Sequence, residues 1–564
     1  MRSVETSQEP SGLEKNSRFA NLFRRRGKIN PWEIGFWVIF IIVLLFMAFY
    51  NLEINPRPWP DEGDVLSVSR TIVEDGKYAL KLSDGYETFG VIQSVGPTVI
   101  LPAALVFKYF GVGFLQGRVV AAIYLLFTIL VFYLVGKEVF GKRAAVFSIF
   151  ALMCSPGLMF LRTGRTMIGY VPALGLFLAG VFFWLRAVKT KNFYLAALSG
   201  LFIGLGCITK SQFLVIGIAA FALITLLDLF YYRLGTLKIT ILTGIVAVAC
   251  VGAWNAWQWL YFGNTAFMEN AATLKLLSQV TFAFRPNIVV QSIRMLIGSD
   301  AGYYYLFWGF IGLFYGGLLG LKKDIWGFGS AFLFLFNCLW LGFFILLSLP
   351  WLSYAFAAMA FSAFFVGKLF DDLVTAFLHS SKNLPQEVRQ AIKTKTEMPL
   401  KTGVVLGSLL ALVTYALWVG FNFQNVIEID VLDRIGEYDS QWPKSFALPN
   451  LTADYLNQNA DKQTIIETTE RELAILTDHK YHSPEESIIL GIIAFYYNGS
   501  TSRDYQLGLE YFQKFRPEYL VSGYYARAYE VYDMDFVSKY YELENVIGSG
   551  IYLYDIYHLK EPLP

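Results

Sequence analysis

The chain has 564 residues, of which 55% are hydrophobic, 17% aromatic and only 16% charged, a balance too apolar for a soluble globule and expected of a multi-pass membrane protein. A formal net charge of +2 argues neither for nor against nucleic acid, but the lack of a basic tract interleaved with aromatics in a soluble segment argues against such a partner. Cys154, Cys207, Cys250 and Cys338 all lie in apolar stretches, which leaves neither a disulfide framework nor a metal-ligand spacing.

In chain order, the polar segment 1–31 carries Arg24, Arg25, Arg26 and Lys28 and is expected on the cytoplasmic side. No small-residue cleavage site follows the first apolar run, residues 32–50, so it should remain as a helix. Apolar runs of about 20 residues predict about eleven transmembrane helices within residues 32–421. The even-numbered runs return to basic turns: Lys137, Lys142 and Arg143; Arg186, Lys189 and Lys191; Arg233 and Lys238; Lys322 and Lys323. The tenth returns to a cytoplasmic segment, 371–401, holding Lys382, Arg389, Lys393, Lys395 and Lys401. By the positive-inside bias these turns are cytoplasmic, which puts a first loop (53–118) and a second loop (259–300) outside.

The run 97–110 is short and contains Pro102. Crossing the membrane there would invert every later loop, so it is expected to be an interfacial or re-entrant helix. After a last span at 402–420, residues 422–564 are polar and mixed in pattern. They predict an extracytoplasmic α/β domain, with helices at 451–457, 484–497 and 504–515 and strands at 464–468, 518–522, 541–547 and 551–557. The sequons Asn450-Leu451-Thr452 and Asn498-Gly499-Ser500 carry no weight, since about two such triplets arise by chance in a chain this long. No internal repeat is visible, which counts against a repeat-built transporter. The fold class expected is an all-α polytopic membrane domain followed by a C-terminal α/β domain.

The acidic cluster Pro60-Asp61-Glu62-Gly63-Asp64 opens the first outer loop. Adjacent carboxylates in an extended, Pro- and Gly-bounded turn point apart, so one can face a cavity while the other meets backbone or solvent. Asp61 is the candidate for the cavity, as a general base toward a nucleophilic hydroxyl; the plain alternative is a solvated turn. Arg118, Arg162, Arg165 and Lys210 lie at the outer ends of different spans, against the bias that gathers cations inside. Packed as neighbours, they would ring one outward cavity and suit a membrane-embedded phosphate ester; singly, each reads as a snorkelling side chain. Arg285 and Arg294 in the second loop are further candidates.

Histidine is scarce. His479, His482 and His558 fall in the C-terminal domain and His379 in the cytoplasmic segment, so no His-based metal site is expected near Asp61. A carboxylate-only magnesium or manganese site using Asp61, Glu62, Asp64 or Glu87 stays open as an alternative. With no phosphate-binding Gly-Lys-Ser/Thr loop and no dinucleotide glycine pattern, a nucleotide donor lacks a signature, and a lipid donor fits better.

The order of several elements resembles the GT-C glycosyltransferases, closest to the protein O-mannosyltransferase and aminoarabinose transferase branch. These are the acid pair after the first span, a helix ending in Phe110-Gly111, Arg118 opening a span, the run Gly136-Lys137-Glu138-Val139-Phe140-Gly141-Lys142-Arg143, Ser155-Pro156, and Gly204 to Lys210. The likeness is good over roughly the first 220 residues. It implies a polyprenyl-phosphate sugar donor, transfer on the outer or lumenal face, Asp61 at the catalytic acid position, Glu62 as its partner and Lys210 facing the lipid phosphate. Departures accompany it. The sequence reads Thr166-Met167-Ile168-Gly169-Tyr170 where relatives often have a second acid, and Ser94-Val95-Gly96-Pro97 where they have a Lys-Pro-Pro element. It reads Trp351-Leu352-Ser353-Tyr354 where an Arg-Tyr pair is common, and it has no Trp-Trp-Asp motif, which disfavours en bloc transfer to asparagine.

The expected activity is therefore inverting transfer of one sugar from a polyprenyl phosphate to an extracytoplasmic glycan, lipid or protein, with no cofactor required. In it Asp61 and Glu62 are catalytic, Asp61 as base and Glu62 in support of the loop or acceptor, and Lys210, Arg165, Arg162 and Arg118 hold the donor phosphate. Asp64, Glu87, Arg294 and Tyr354 are candidates for the acceptor or the loop. A flippase of polyprenyl-linked glycans would instead place charges mid-span with broken-helix symmetry. A non-catalytic scaffold would make the Asp61 loop dispensable.

Overall fold

The computed structural model describes residues 31–88, 95–154, 160–298, 302, 304–381, 400–428, 447–484, 486–498, 500–550, 553–560 and 562–563. The N-terminal basic cluster, Ser94, Ser155-Pro156, Gly499 and most of segment 371–401 lie outside them. Two compact units divide the chain, residues 1–47 and 48–564. The first holds most of helix α1 (Pro31–Phe49).

The second unit begins with α2 (Pro60–Asp75), a hairpin of β1 (Leu80–Leu82) and β2 (Gly85–Glu87), and α3 (Pro97–Phe110). The helical body follows: α4 (Phe114–Phe140), α5 (Lys142–Met153), α6 (Phe160–Gly164), α7 (Tyr170–Thr190), α8 (Phe193–Thr209), α9 (Gln212–Leu227) and α10 (Leu237–Phe262). It continues through α11 (Asn264–Thr281), α12 (Pro286–Gly298), α13 (Phe310–Gly320), α14 (Ile325–Leu346), α15 (Phe356–Ser381) and α16 (Leu400–Val426). Among the described residues, eight helices are long and apolar enough to cross a membrane, and the protein is a multi-pass membrane protein. The other three spans expected from the sequence fall on shorter helices: α5 with 12 residues, α8 with 17, and the 305–320 segment that ends in α13.

Close helix contact in the body rests on glycine. A Cβ on Gly200 of α8 would lie 2.4 Å from the Thr243 carbonyl of α10, and one on Gly206 would meet the α7 backbone at 3.0 Å. Small residues at such points let two backbones approach within packing distance. Between α7, α9, α14 and α15 the space is filled by rings, with Phe177 4.8 Å from Phe336, Phe213 4.6 Å from Trp340 and Phe336 4.3 Å from Phe361.

The basic turns converge at one end of this body. Arg186 and Lys189 pair with Glu138, Arg143 bonds Asp371 and Thr375, and Lys191 donates to the Leu234 carbonyl at 2.7 Å. Lys210 lies at the other end of α8, roughly 25 Å away at 1.5 Å per residue.

α3 behaves as an amphipathic helix. Val99, Ile100, Ala103 and Phe107 are buried against Val65, Leu66 and Val68 of α2, while Leu101, Leu105, Tyr109 and Phe110 are exposed. That pattern suits a helix lying at a membrane surface.

The C-terminal region is a five-stranded mixed sheet in the order β4-β3-β5-β7-β6, from β3 (Ile465–Thr468), β4 (Lys480–His482), β5 (Tyr519–Ser522), β6 (Tyr541–Ile547) and β7 (Tyr554–Leu559). β3 runs parallel to β4 and β5; β7 runs antiparallel to β5 and β6. Helices α17 (Leu448–Asn459), α18 (Leu473–Leu476), α19 (Glu486–Asn498), α20 (Leu509–Phe515), α21 (Tyr524–Ala528) and α22 (Met534–Tyr540) connect the strands. The alternation expected from sequence is present. β4, α18, α21 and α22 are additional, each too short to leave a periodic signal.

Candidate active site

The acid cluster lies on a helix, which corrects the extended turn expected from its proline and glycine. Pro60 occupies the first turn of α2, where its missing N–H costs nothing. Asp61 and Glu62 follow in the same turn, where a helix dipole favours negative charge. Neighbours on a helix diverge by about 100°, so the two carboxylates still separate.

Glu62 turns inward and is wholly buried. Arg118 of α4 grips it with two bonds, Nε to Oε1 at 2.9 Å and Nη2 to Oε2 at 2.6 Å, and the Met167 N–H adds a third at 3.1 Å. The remaining Arg118 nitrogen donates to the carbonyls of Leu52 and Glu53. In this geometry Glu62 anchors the loop, and the Arg118 guanidinium is committed to that carboxylate and to backbone carbonyls. Arg165 is likewise enclosed and donates to the carbonyls of Tyr50 and Asn55. Three cations or acids expected at a cavity thus brace the 50–62 segment.

Asp61 is accessible to water, yet protein surrounds it closely enough that burial pushes its carboxyl above the usual carboxylate range. Lys210 and Arg471 oppose that rise, as does a hydrogen bond from Trp59. Lys210 closes α8 and sits with Nζ 4.5 Å from the Tyr170 ring centre. Gly169, at φ 73°, turns the chain into α7 and leaves the space that Lys210 fills; a Cβ there would touch Lys210 Cε at 3.5 Å. Tyr170 and Tyr354 both lie within electrostatic reach of Asp61, and Tyr354 stacks on Trp351 at 5.8 Å.

The remaining candidates scatter. Asp64 is bound by Arg471 at 3.0 Å. Glu87 is on the β1–β2 hairpin, Arg162 is half-buried on α6, and Arg294 is exposed on α12. Arg285 bonds the Val280 carbonyl. The carboxylates considered for a divalent cation do not converge, and among the described residues no three His, Cys, Asp or Glu side chains form a metal-binding group. Of the expected residues, Asp61, Lys210 and Tyr354 come together. Tyr170 and Arg471 join them without having been singled out; Tyr170 lay in the stretch lacking the second acid, whereas Arg471 is separated from Asp61 by nearly three-quarters of the chain and gave no local signal.

A model of the family described as dolichyl-phosphate-mannose-protein mannosyltransferase matches residues 94–257. Among solved structures, ArnT from Cupriavidus metallidurans in the apo state matches with a TM-score of 0.60 at 16% identity, covering 93% of this chain and 98% of that one. The same protein bound to undecaprenyl phosphate matches with a TM-score of 0.58 at 15% identity over the same shares. No curated protein sequence matches. At such identity the likeness shows the fold, and the chain has the GT-C architecture implied by the sequence resemblance.

Proposed function

We propose that the protein is an inverting membrane glycosyltransferase that moves a single sugar from a polyprenyl-phosphate donor to a hydroxyl or amine of an extracytoplasmic glycan, lipid or protein. The observation that carries this reading is the pairing of an accessible, enclosed Asp61 with Lys210 beside two tyrosines. The mannosyltransferase family match over 94–257 includes Tyr170 and Lys210, and the similar ArnT was solved with undecaprenyl phosphate; both support a lipid-phosphate donor here.

In this scheme Asp61 takes the proton from the acceptor as its oxygen or nitrogen bonds the anomeric carbon. The bond from that carbon to the phosphate oxygen breaks on the opposite face, and polyprenyl phosphate leaves with the electron pair. Lys210 faces the charge that grows on the departing phosphate, and phosphate leaves without needing a proton. Glu62 and Arg118 hold α2 so that Asp61 keeps its direction. By the positive-inside bias, the basic turns at the far end support a reading in which the Asp61 end, the second loop and the C-terminal sheet face outward. The scheme uses no metal, so release of polyprenyl phosphate is expected to survive a chelator.

The test is release of polyprenyl phosphate from a panel of polyprenyl-phosphate sugars by purified protein supplied with membrane-extract acceptors. Wild type should release it and Asp61→Asn, equally folded, should not. No release from any donor would return the flippase to first place, and equal release by both proteins would show that another group is the base.

A further inference from the structure

We propose that Arg471, on the C-terminal α/β region, is a positioning residue of the active site that, through its bond to Asp64, holds the helix turn that carries Asp61. The inference rests on the reading of Asp61 as the base. Asp61 and Asp64 stand three residues apart on α2 and so share a face. Arg471 meets that face with Nη1 on Asp64 Oδ2 at 3.0 Å, while its Nε donates to Ser483 Oγ at 2.8 Å and its Nη2 to the Pro484 carbonyl at 3.1 Å. A planar fork held at three nitrogens has little freedom, and its charge bears on Asp61 alongside that of Lys210.

The backbone around Arg471 is seated as firmly as its side chain. A Cβ on Gly63 would fall 2.4 Å from the Glu472 nitrogen and 2.6 Å from the Arg471 carbonyl oxygen, so only glycine lets this turn rest on α2. Two turns further along, Arg70 donates to the carbonyls of Ala474 and Thr477 and to Asp478. The segment 471–478 therefore lies along the helix that carries the base. The titratable groups facing Asp61 are Lys210, Arg471, Tyr170 and Tyr354, with Asp64 on its own helix. Removing one of the two cations should make the carboxyl easier to protonate.

The test reads Asp61 directly. Carboxyls react with a carbodiimide and an amine only while protonated, so labelling of the Asp61 peptide against pH, followed by mass spectrometry, gives its midpoint without any turnover. Arg471→Gln should move that midpoint upward by about one pH unit and move the acidic limb of the transfer rate with it. Gly63→Ala keeps the charge but wedges the turn away, and should shift the midpoint in the same direction; Arg471→Lys should restore most of the wild-type value. An unmoved midpoint in both Arg471→Gln and Gly63→Ala overturns the inference and assigns Arg471 to domain attachment alone. A shifted midpoint in a protein whose wild type releases no polyprenyl phosphate overturns the glycosyl-transfer reading while upholding the hold of Arg471 on Asp61.

Discussion

Asp61 and Glu62 are neighbours with opposite fates, and substitution should separate them. Glu62→Gln keeps the shape but leaves the enclosed Arg118 guanidinium without its counter-charge. Breaking a buried pair in this way costs about 3–5 kcal/mol, so the variant should unfold at a clearly lower temperature in detergent. Asp61→Asn, at an accessible position, should unfold near the wild-type temperature and lose about 10²–10⁴-fold in transfer. A stable Glu62→Gln with impaired transfer would mean that Glu62 acts on substrate. Sequence pointed to Asp61 and Lys210 because an acid and a cation at those places suit a phosphate-ester site, and to Tyr354 through the family resemblance alone. It could not separate Arg118 and Arg165 from Lys210, because a cation at a helix end looks the same whether it faces solvent or a neighbouring loop's carbonyls; only packing distinguishes them.

The helices differ in how plainly their sequences announce them. α4 and α7 are continuous apolar runs, legible by length alone. α2 is polar enough to pass for a loop, yet Ser69, Thr71 and most of its other residues up to Thr71 are buried between α3 and the C-terminal segment. Its helicity comes from tertiary burial of nearly every face, which leaves no amphipathic stripe for a sequence to show. Tertiary contact can also be tested at α8. Gly200→Val drives a branched side chain into the Thr243 carbonyl and the Val246 side chain of α10. Overpacking of that kind costs about 1–3 kcal/mol, and should lower the unfolding temperature of the detergent-solubilised protein. Gly244→Ala, one residue beyond Thr243 but facing open space, should leave it unchanged. Equal effects from both would mean that α8 and α10 are not in backbone contact.

Across the whole molecule, the C-terminal region and the loop before α2 share a buried charge cluster that links stability to pH. Arg57 donates to Tyr554 at 2.9 Å and lies within electrostatic reach of Glu470 and Glu472, which are both enclosed. Two carboxylates facing one guanidinium cannot both stay ionised comfortably. Burial, with the nearby Glu470 charge, pushes Glu472 up to about 8. Its folded-state affinity for a proton is thus above that of the unfolded chain, whose glutamates titrate at about 4.3. Between those values the folded state holds a proton that the unfolded state does not, so stability from this group is full at low pH and declines as pH rises. Asp75 and Asp478 shift the other way through Lys81 and Arg70, but both are already ionised, folded or unfolded, by pH 5.5. Wild type should therefore unfold at a higher temperature at pH 5.5 than at pH 8. Glu472→Gln, permanently neutral, should flatten this dependence and match or exceed wild type at pH 8. A wild-type unfolding temperature that rises from pH 5.5 to 8 would mean that Glu472 is ionised in the fold and that Arg57 neutralises it fully.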